Sequence, residues 1–404
     1  MWTARRAPCR WRALCEDTDV KAFVLDATLD PRPDYRPSPA EIETRKALIG
    51  SSVWRHPHAE FTRVETPEPG PDEVIIKLRR VGFCGSDLHF FETDADGYIA
   101  YPGLTRFPTI LGHELAGDIV AMGESVTHMQ IGVPVTIEDM VRCGHCYACR
   151  ISQPNHCENL DEIGFSLNGG FAEYVRVPAR NCWSIASLRA RVVSDTALYD
   201  CGALIEPFTV VYNALVHGAG GVKPGAFTVV HGAGPIGLAS VAMLRACGAA
   251  RIIVFEVSGE RRTLALKMGA DSAYDPRPTA AVEIVMAETE GLGADLQIEA
   301  AGAFAHTLPV MEQSVALLGT MLVIGRDSAH VSIFPEPLQT KRATLVLAKG
   351  NAGHGTYPHV LRLMASGRID PQLMITAKYP FGELRTALDA SRTRGHGKIL
   401  VDVD

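Results

Sequence analysis

Short apolar runs separated by glycine and proline dominate the first half of the chain. Residues 21–25 and 74–78 are the clearest of these runs, and both predict β-strands. Similar segments recur at 114–120, 133–137 and 171–177. The pattern predicts an irregular β-rich domain that carries its candidate metal ligands in loops.

After residue 208 the pattern changes to an alternation of apolar strands and amphipathic helices. It predicts helices at 209–217, 235–247 and 260–268, and strands at 227–231, 251–255, 296–299, 320–324 and 344–348. Such alternation is typical of an α/β unit with a parallel sheet covered by helices on both faces.

Beyond Lys349 the chain is predicted to leave this sheet, with helices near 356–366 and 381–391 and a final strand at 398–403. We therefore expect a catalytic domain formed by 20–208 and 349–404, wrapped around a dinucleotide-binding domain at 209–348. Residues 1–19 are rich in arginine and lack the apolar core of a secretory signal. They predict a disordered extension, or a start assigned upstream of the true one.

Length and charge limit the classes of protein to which this chain can belong. A chain of 404 residues with 47% hydrophobic content is long enough for two domains with separate cores. The net charge of −7 without a basic stripe argues against nucleic acid and anionic membranes as partners. Since no apolar run is long enough to span a bilayer, we expect a soluble, cytoplasmic protein.

One candidate catalytic metal site consists of Cys84, His113 and Glu114. A thiolate, an imidazole and a carboxylate suit zinc, and three protein ligands leave a fourth position open for substrate or water. Ser86 and His89 follow the cysteine closely and could carry a proton from a reacting hydroxyl to solvent. A lone cysteine or histidine is more often a packing residue, so the assignment depends on two further motifs.

The first of these motifs is a loop of four cysteines, Cys143, Cys146, Cys149 and Cys157. Four thiolates can close a tetrahedral shell around zinc, which predicts a second, structural zinc ion. Disulfides are the alternative, but the chain shows no export signal. The histidines within this loop, His145 and His156, are expected to be bystanders.

The second motif is a glycine-rich turn that follows an apolar strand and opens a helix, the context in which G-x-G-x-x-G binds a dinucleotide. Its glycines permit a tight turn and close approach of a pyrophosphate to the helix N-terminus. The residues concerned are Gly232, Gly234, Pro235, Ile236 and Gly237.

An acidic residue is expected about 20 residues after this turn, where it binds ribose hydroxyls. Glu256 occupies that position, and its carboxylate favours NAD over NADP because it repels a 2′-phosphate. Arg261 and Arg262 follow, and an arginine there can accommodate the phosphate. Arg261 is therefore a further candidate cofactor-binding residue.

Glu206 lies at the junction of the two predicted domains. It is a candidate zinc ligand or a residue that holds water at the zinc, and an interdomain salt bridge is the alternative. Asp87 is expected to orient a ligand imidazole.

Together these motifs resemble the zinc-dependent medium-chain dehydrogenases, over roughly residues 20–404. The Cys84, His113 and Glu114 set, together with Glu206 in the segment 202–207, is most similar to the polyol branch typified by sorbitol dehydrogenase. The resemblance implies a GroES-like β-barrel domain joined to a Rossmann domain. It also implies one catalytic zinc, one structural zinc, NAD, and a homo-oligomer that is a dimer or tetramer. Which glutamate is the inner ligand stays open.

Further segments resemble a bacterial subgroup that oxidises inositol-derived keto-cyclitols, the scyllo-inosose 3-dehydrogenases, at 54–55, 96–99, 101–104, 154–159 and 353–356. This resemblance implies oxidation of a secondary hydroxyl of a cyclitol or aminocyclitol, in inositol catabolism or in antibiotic and other natural-product biosynthesis. The alternatives are an open-chain polyol or threonine dehydrogenase and, in another class, a non-catalytic protein that binds NAD and zinc.

Overall fold

The computed structural model describes residues 19–277, 280–327 and 330–403. The predicted extension at 1–19 lies outside the described residues, apart from Asp19, which begins the first strand. No helix in these ranges is long and apolar enough to cross a membrane.

The first half of the chain is β-rich, as the sequence predicts. Its strands are β1 (Asp19–Leu29), β2 (Lys46–Ala47), β3 (Trp54–Glu65), β4 (Glu73–Phe83), β5 (Thr105–Arg106), β6 (Thr109–Ile110), β7 (Glu114–Met122), β8 (Pro134–Ile137), β9 (Met140–Val141), β10 (Asp161–Glu162), β11 (Tyr174–Pro178) and β12 (Cys182–Ser184). Short helices interrupt them at α1 (Pro39–Thr44), α2 (Gly85–His89) and α3 (Tyr147–Arg150), with 3₁₀ turns at Gly50–Ser52, Pro154–His156, Ala179–Asn181 and Ala186–Ala190.

The second half contains one parallel sheet with helices between its strands. The strands are β13 (Phe227–His231), β14 (Arg251–Phe255), β15 (Ser272–Tyr274), β16 (Ala294–Glu299), β17 (Val315–Val323) and β18 (Thr344–Leu347). The helices before and within this unit are α4 (Asp195–Ala203), α5 (Ile205–Tyr212), α6 (Pro235–Ala246), α7 (Gly259–Lys267), α8 (Ala281–Glu288), α9 (Phe304–Ser314) and α10 (Pro335–Lys341). The strand order β15-β14-β13-β16-β17-β18 is that of a doubly wound dinucleotide-binding sheet.

The chain then returns to the β-rich half. It forms α11 (Thr356–Ala365), β19 (Ile375–Pro380), α12 (Leu384–Arg392) and β20 (Lys398–Asp402), with 3₁₀ turns at Pro371–Met374 and Phe381–Glu383. Strand β20 pairs antiparallel with β4, so the C-terminus completes the larger antiparallel sheet, in the order β12-β8-β7-β4-β20-β19. Strand β11 also pairs with β4.

Helix α5 runs across the predicted domain boundary at 208/209 and continues into a π-type turn at Asn213–Gly218. The sequence predicts a helix over 209–217, and the structure begins it at Ile205. The earlier start places Glu206 in the first turn of α5 instead of in a linker. Glu206 is buried there, so the helix holds its side chain in a defined position at the junction of the two domains.

Candidate active site

The three candidate zinc ligands are brought together by strand pairing. Cys84 directly follows β4 and caps α2, whereas Glu114 is the first residue of β7, the antiparallel neighbour of β4. The ligand atoms of Cys84, His113 and Glu114 all lie within 4.8 Å of one another. The expectation that these ligands lie in loops was therefore wrong in part, because Glu114 belongs to a central strand of the sheet.

Gly82 makes room for the Glu114 carboxylate. The two residues are direct partners in the β4–β7 register, and a Cβ on Gly82 would lie 1.9 Å from Glu114 Oε2. No side chain larger than hydrogen fits there, since real Cβ atoms do not approach other heavy atoms so closely. The carboxylate consequently lies over the backbone of β4 instead of beside it.

The space left at Gly82 allows the Glu114 carboxylate to contact Lys398. Its Nζ lies 2.5 Å from Glu114 Oε1 and 2.7 Å from Oε2, and 3.3 Å from the carbonyl oxygen of Phe83. Both side chains are fully buried. Lys398 opens β20, on the opposite side of β4 from β7, so the contact crosses two interstrand spacings, about 9–10 Å.

Sequence patterns alone do not predict a functional role for Lys398. The signal available was a lysine at the start of the apolar strand 398–401, where a buried charge needs a partner. Burial lowers the pKa of Lys398, but the carboxylate of Glu114 and the thiol of Cys84 outweigh burial and raise this pKa overall. The ammonium is therefore stabilised in its charged form by the site itself.

His113 is held between two residues of α2. Its Nδ1 lies 3.6 Å from Asp87 Oδ1, and its Nε2 lies 3.5 Å from Ser86 Oγ. The carboxylate of Asp87 also accepts a hydrogen bond from the backbone N–H of Cys84. This arrangement places Asp87 where the sequence analysis expects a residue that orients the imidazole.

Glu206 lies near the three clustered donors but outside their compact group. Its Oε1 accepts a hydrogen bond from Asn351 Nδ2 at 2.7 Å, and the same Nδ2 lies 2.8 Å from Asp139 Oδ1. Within the described ranges Glu206 forms no ion pair, so the salt-bridge alternative receives no support. Burial, followed by the charge of Asp139, raises the pKa of Glu206.

The charges of this pocket favour a bound cation. Asp139, Glu114 and Glu206 are buried within it beside the half-buried Cys84 thiol, and Lys398 is the buried ammonium among them. Burial opposes protonation of His113, but Asp87 and Cys84 raise its pKa well above the usual value, so positive charge is favoured there too. The donor set and this excess of carboxylates fit a zinc ion, which would need one thiolate, one imidazole and one carboxylate.

Ser86 and His89 stand three positions apart on α2, so their side chains lie on the same face of the helix. Ser86 faces the imidazole of His113, whereas His89 is half-exposed and its Nδ1 lies 2.9 Å from Glu92 Oε2. Ser86 is therefore the inner residue of the pair and His89 the outer one, which is the order in which a proton would pass from the buried donors to solvent.

The cysteine loop forms a second donor cluster. The four sulfur atoms of Cys143, Cys146, Cys149 and Cys157 lie within 4.8 Å of one another, and all four cysteines are free of disulfides. Backbone N–H groups of His145 and Cys146 lower the pKa of the Cys143 thiol, which favours the thiolate form needed for metal binding. The side chains of His145 and His156 are exposed and do not join the cluster.

The glycine-rich turn joins β13 to α6. A Cβ on Gly237 would lie 1.9 Å from the carbonyl oxygen of Gly232, so close packing of helix and turn requires glycine at this position. A Cβ on Gly234 would meet only Arg261 Nη1, at 3.8 Å, which leaves the backbone of the turn open. Pro235 and Ile236 open α6, whose N-terminus faces this open space.

Glu256 lies beside the turn, directly after β14. Its Oε2 accepts a hydrogen bond from the backbone N–H of Ala233 at 2.7 Å, and Oε1 accepts one from the N–H of Ser258 at 2.8 Å. Arg261 Nε donates to the carbonyl oxygen of His396, and Arg262 Nη1 donates to that of Glu256. The carboxylate thus lies on one side of the open space, and the guanidinium group of Arg261 borders it.

Two family models match the chain. The alcohol dehydrogenase GroES-like domain matches residues 70–187, and the zinc-binding dehydrogenase domain matches residues 235–366. The chain belongs to the zinc-binding dehydrogenase family. The match confirms the resemblance to the zinc-dependent medium-chain dehydrogenases, and with it the fold of a GroES-like domain joined to a Rossmann sheet.

Among curated relatives, a scyllo-inosose 3-dehydrogenase of Thermotoga maritima is 43% identical over 361 residues, which cover 86% of this chain and 91% of the relative. An L-threonine 3-dehydrogenase of Pyrococcus furiosus is 35% identical over 344 residues, covering 85% of this chain and 94% of that protein. Both are similar along nearly their whole length.

Solved structures agree with this family. A Thermotoga maritima structure assigned to the alcohol dehydrogenases has a TM-score of 0.90 and 40% identity, covering 95% of this chain and all of its own. An Escherichia coli CFT073 alcohol dehydrogenase complexed with NADH has a TM-score of 0.78 and 26% identity, covering 96% of this chain and 100% of its own. A Sinorhizobium meliloti zinc-binding dehydrogenase bound to NADP has a TM-score of 0.75 and 27% identity, covering 89% and 99%.

The contact between Lys398 and Glu114 can be tested by breaking it. In chelator-treated protein, Lys398→Met should lower the free energy of unfolding by about 3–5 kcal/mol, because it leaves a buried carboxylate without a counter-charge. Urea unfolding of the variant and of the wild type measures this difference.

The matched control is the double variant Lys398→Met/Glu114→Gln, which removes both charges. We expect it to recover most of the loss, since replacing a whole buried pair is far less costly than breaking it. Equal stability of Lys398→Met and the wild type would show that the contact does not hold the carboxylate.

Proposed function

We propose that this protein is a zinc- and NAD-dependent dehydrogenase that oxidises a secondary hydroxyl of a cyclitol. The observation that carries the proposal is the compact group of Cys84, His113 and Glu114. The 43% identity to a scyllo-inosose 3-dehydrogenase supports the cyclitol as substrate class. The open glycine-rich turn beside Glu256 supports a dinucleotide as cofactor.

Cys84, His113 and Glu114 would hold the catalytic zinc. When bound, zinc supplies a Lewis acid that lowers the pKa of a substrate hydroxyl and orients it. Asp87 keeps the imidazole of His113 in place, and Lys398 keeps the carboxylate of Glu114 against β4. Because Glu114 belongs to the compact group and Glu206 does not, we assign Glu114 as the inner carboxylate and Glu206 as the residue that holds water nearby.

Ser86 and His89 would remove the hydroxyl proton. Ser86 Oγ lies beside the imidazole of His113, and it can accept a proton and pass it along α2. His89 receives the proton and releases it to solvent, because its ring is half-exposed and is oriented by Glu92.

NAD, when bound, supplies the hydride acceptor. Gly232, Gly234 and Gly237, with Pro235 and Ile236, would cradle the pyrophosphate at the N-terminus of α6. Glu256 would accept hydrogen bonds from ribose hydroxyls, and Arg261 would border the same space. The relatives with known cofactors include one complexed with NADH and one bound to NADP, so the choice of NAD rests on Glu256.

The four-cysteine cluster would hold a structural zinc. Its thiols leave no position open to substrate, so it contributes to stability and not to the reaction.

Threonine oxidation is the second candidate function, since an L-threonine 3-dehydrogenase is 35% identical. A substrate panel of inositols, inososes, valiolone-like cyclitols, sorbitol and L-threonine separates the candidates when NADH formation is followed by absorbance. We expect the highest kcat/KM for a ring substrate. A preference for L-threonine or sorbitol would refute the cyclitol assignment, and two bound zinc ions with no turnover would favour the non-catalytic alternative.

Replacing Cys84 with serine should remove the catalytic zinc and abolish turnover, because the thiolate is one of three ligands. Metal analysis should then find one zinc per chain instead of two. The control is Cys247→Ser, a half-buried cysteine outside both clusters, which should retain both ions and full activity. Retained turnover in metal-stripped Cys84→Ser would contradict the assignment.

Replacing Glu256 with alanine should shift cofactor preference toward NADP. The change removes a negative charge beside Arg261 and Arg262, so the ratio of kcat/KM for NADP to that for NAD should rise about tenfold or more. Binding of NADH and NADPH, followed by their fluorescence, provides a second readout. Glu260→Ala, an exposed carboxylate on α7, is the control, and an unchanged ratio in Glu256→Ala would count against the role of Glu256.

A further inference from the structure

A contact between the two domains borders the candidate active site. Arg326 follows β17, at the carboxyl edge of the parallel sheet, and Tyr101 lies in the segment between α2 and β5. Arg326 Nη1 lies 3.4 Å from the hydroxyl oxygen of Tyr101, and the guanidinium carbon is 5.8 Å from the centre of the tyrosine ring. Ligands of doubly wound sheets bind at this edge.

Tyr101 connects this contact to the candidate metal ligands. Its ring stacks on Phe165 with centroids 5.3 Å apart, and the Phe165 ring lies 4.6 Å from the His113 ring. The backbone N–H of Tyr101 also donates to the carbonyl oxygen of His89. Two packed aromatic rings, Tyr101 and Phe165, therefore connect Arg326 to His113.

Glu162, at the end of β10, adds a carboxyl group to the same region. Burial, with the nearby charge of Asp139, raises the pKa of Glu162 to about 7, although Lys349, Arg326 and His113 act in the opposite direction. Near neutral pH the group can therefore donate as well as accept hydrogen bonds. The carbonyl oxygen of Glu162 accepts a hydrogen bond from the backbone N–H of Phe165 at 3.1 Å, which places Glu162 in the same turn as the ring that stacks on Tyr101.

Among the described residues, Arg326, Glu162 and Lys349 form no hydrogen bonds or ion pairs with one another. Across the described ranges, no ion pair joins Glu162 to a cation, and Arg326 makes only its contact with Tyr101. Arg326 and Lys349 are exposed, so their charges are accessible to a ligand. An exposed arginine held by a single long contact contributes little to stability, so its guanidinium is available to a ligand.

We propose that Arg326, Glu162 and Tyr101 form a subsite for the hydroxyl groups of a neutral, polyhydroxylated ring that are remote from its reacting carbon. The inference rests on the proposed function and specifies the part of the protein that selects the substrate. A site for phosphate or carboxylate would present cations alone, whereas this one combines a carboxyl group, a phenol and a guanidinium. Hydroxyl groups both donate and accept hydrogen bonds, so a mixed set matches them.

Arg326→Ala tests the subsite. With myo-inositol and scyllo-inosose, KM should rise about tenfold or more while kcat stays within about threefold, because a charged hydrogen bond to the substrate is lost. With cyclohexanol, which has a single hydroxyl, kcat/KM should change by less than about twofold. Arg326→Lys should recover part of the loss, and Glu162→Gln and Tyr101→Phe should shift KM in the same direction.

Arg189→Ala is the control variant, since Arg189 is an exposed arginine paired with the exposed Asp195 away from this region. It should leave all constants unchanged. Wild-type turnover of either cyclitol, with an unaltered KM in Arg326→Ala, would overturn the subsite and leave the proposed function standing. A wild-type protein that oxidises cyclohexanol but neither cyclitol would overturn both.

Discussion

The buried contact between Lys398 and Glu114 is the interaction on which the candidate active site depends. It crosses β4 at Gly82, where the absence of a side chain lets a carboxylate from β7 meet an ammonium from β20. Breaking this pair is costly because it leaves one charge buried without a counter-charge. The contact therefore ties the C-terminal strand of the chain to the residue beside His113.

The site around this contact contains more buried carboxyl groups than buried ammonium groups. Buried carboxyl groups repel one another in a medium of low polarity, and burial raises the pKa of both Asp139 and Glu206. A protein keeps such an arrangement where a cation or a proton is part of function. The same electrostatics that would destabilise an ordinary core would be relieved here by a bound metal ion or a proton.

The position of the pocket between the domains gives each domain a separate task. The β-rich domain supplies the clustered donors, and the parallel sheet supplies the turn at Gly234 and the guanidinium of Arg326. Helix α5 belongs to the junction, so Glu206 is positioned by both. Substrate selection can then vary through residues at the edge of the cleft without disturbing the donors.

The sequence by itself determined the features that depend on local spacing. The cysteines between 143 and 157, the glycines of 232–237 and the strand–helix alternation each act within a few residues, so their geometry follows from the chain's own connectivity. Only the tertiary structure decided the contacts of Lys398, Asn351 and Arg326, whose partners lie 145 to 284 residues away along the chain. Such contacts depend on strand order and domain packing, which set distances between residues that spacing along the chain does not constrain.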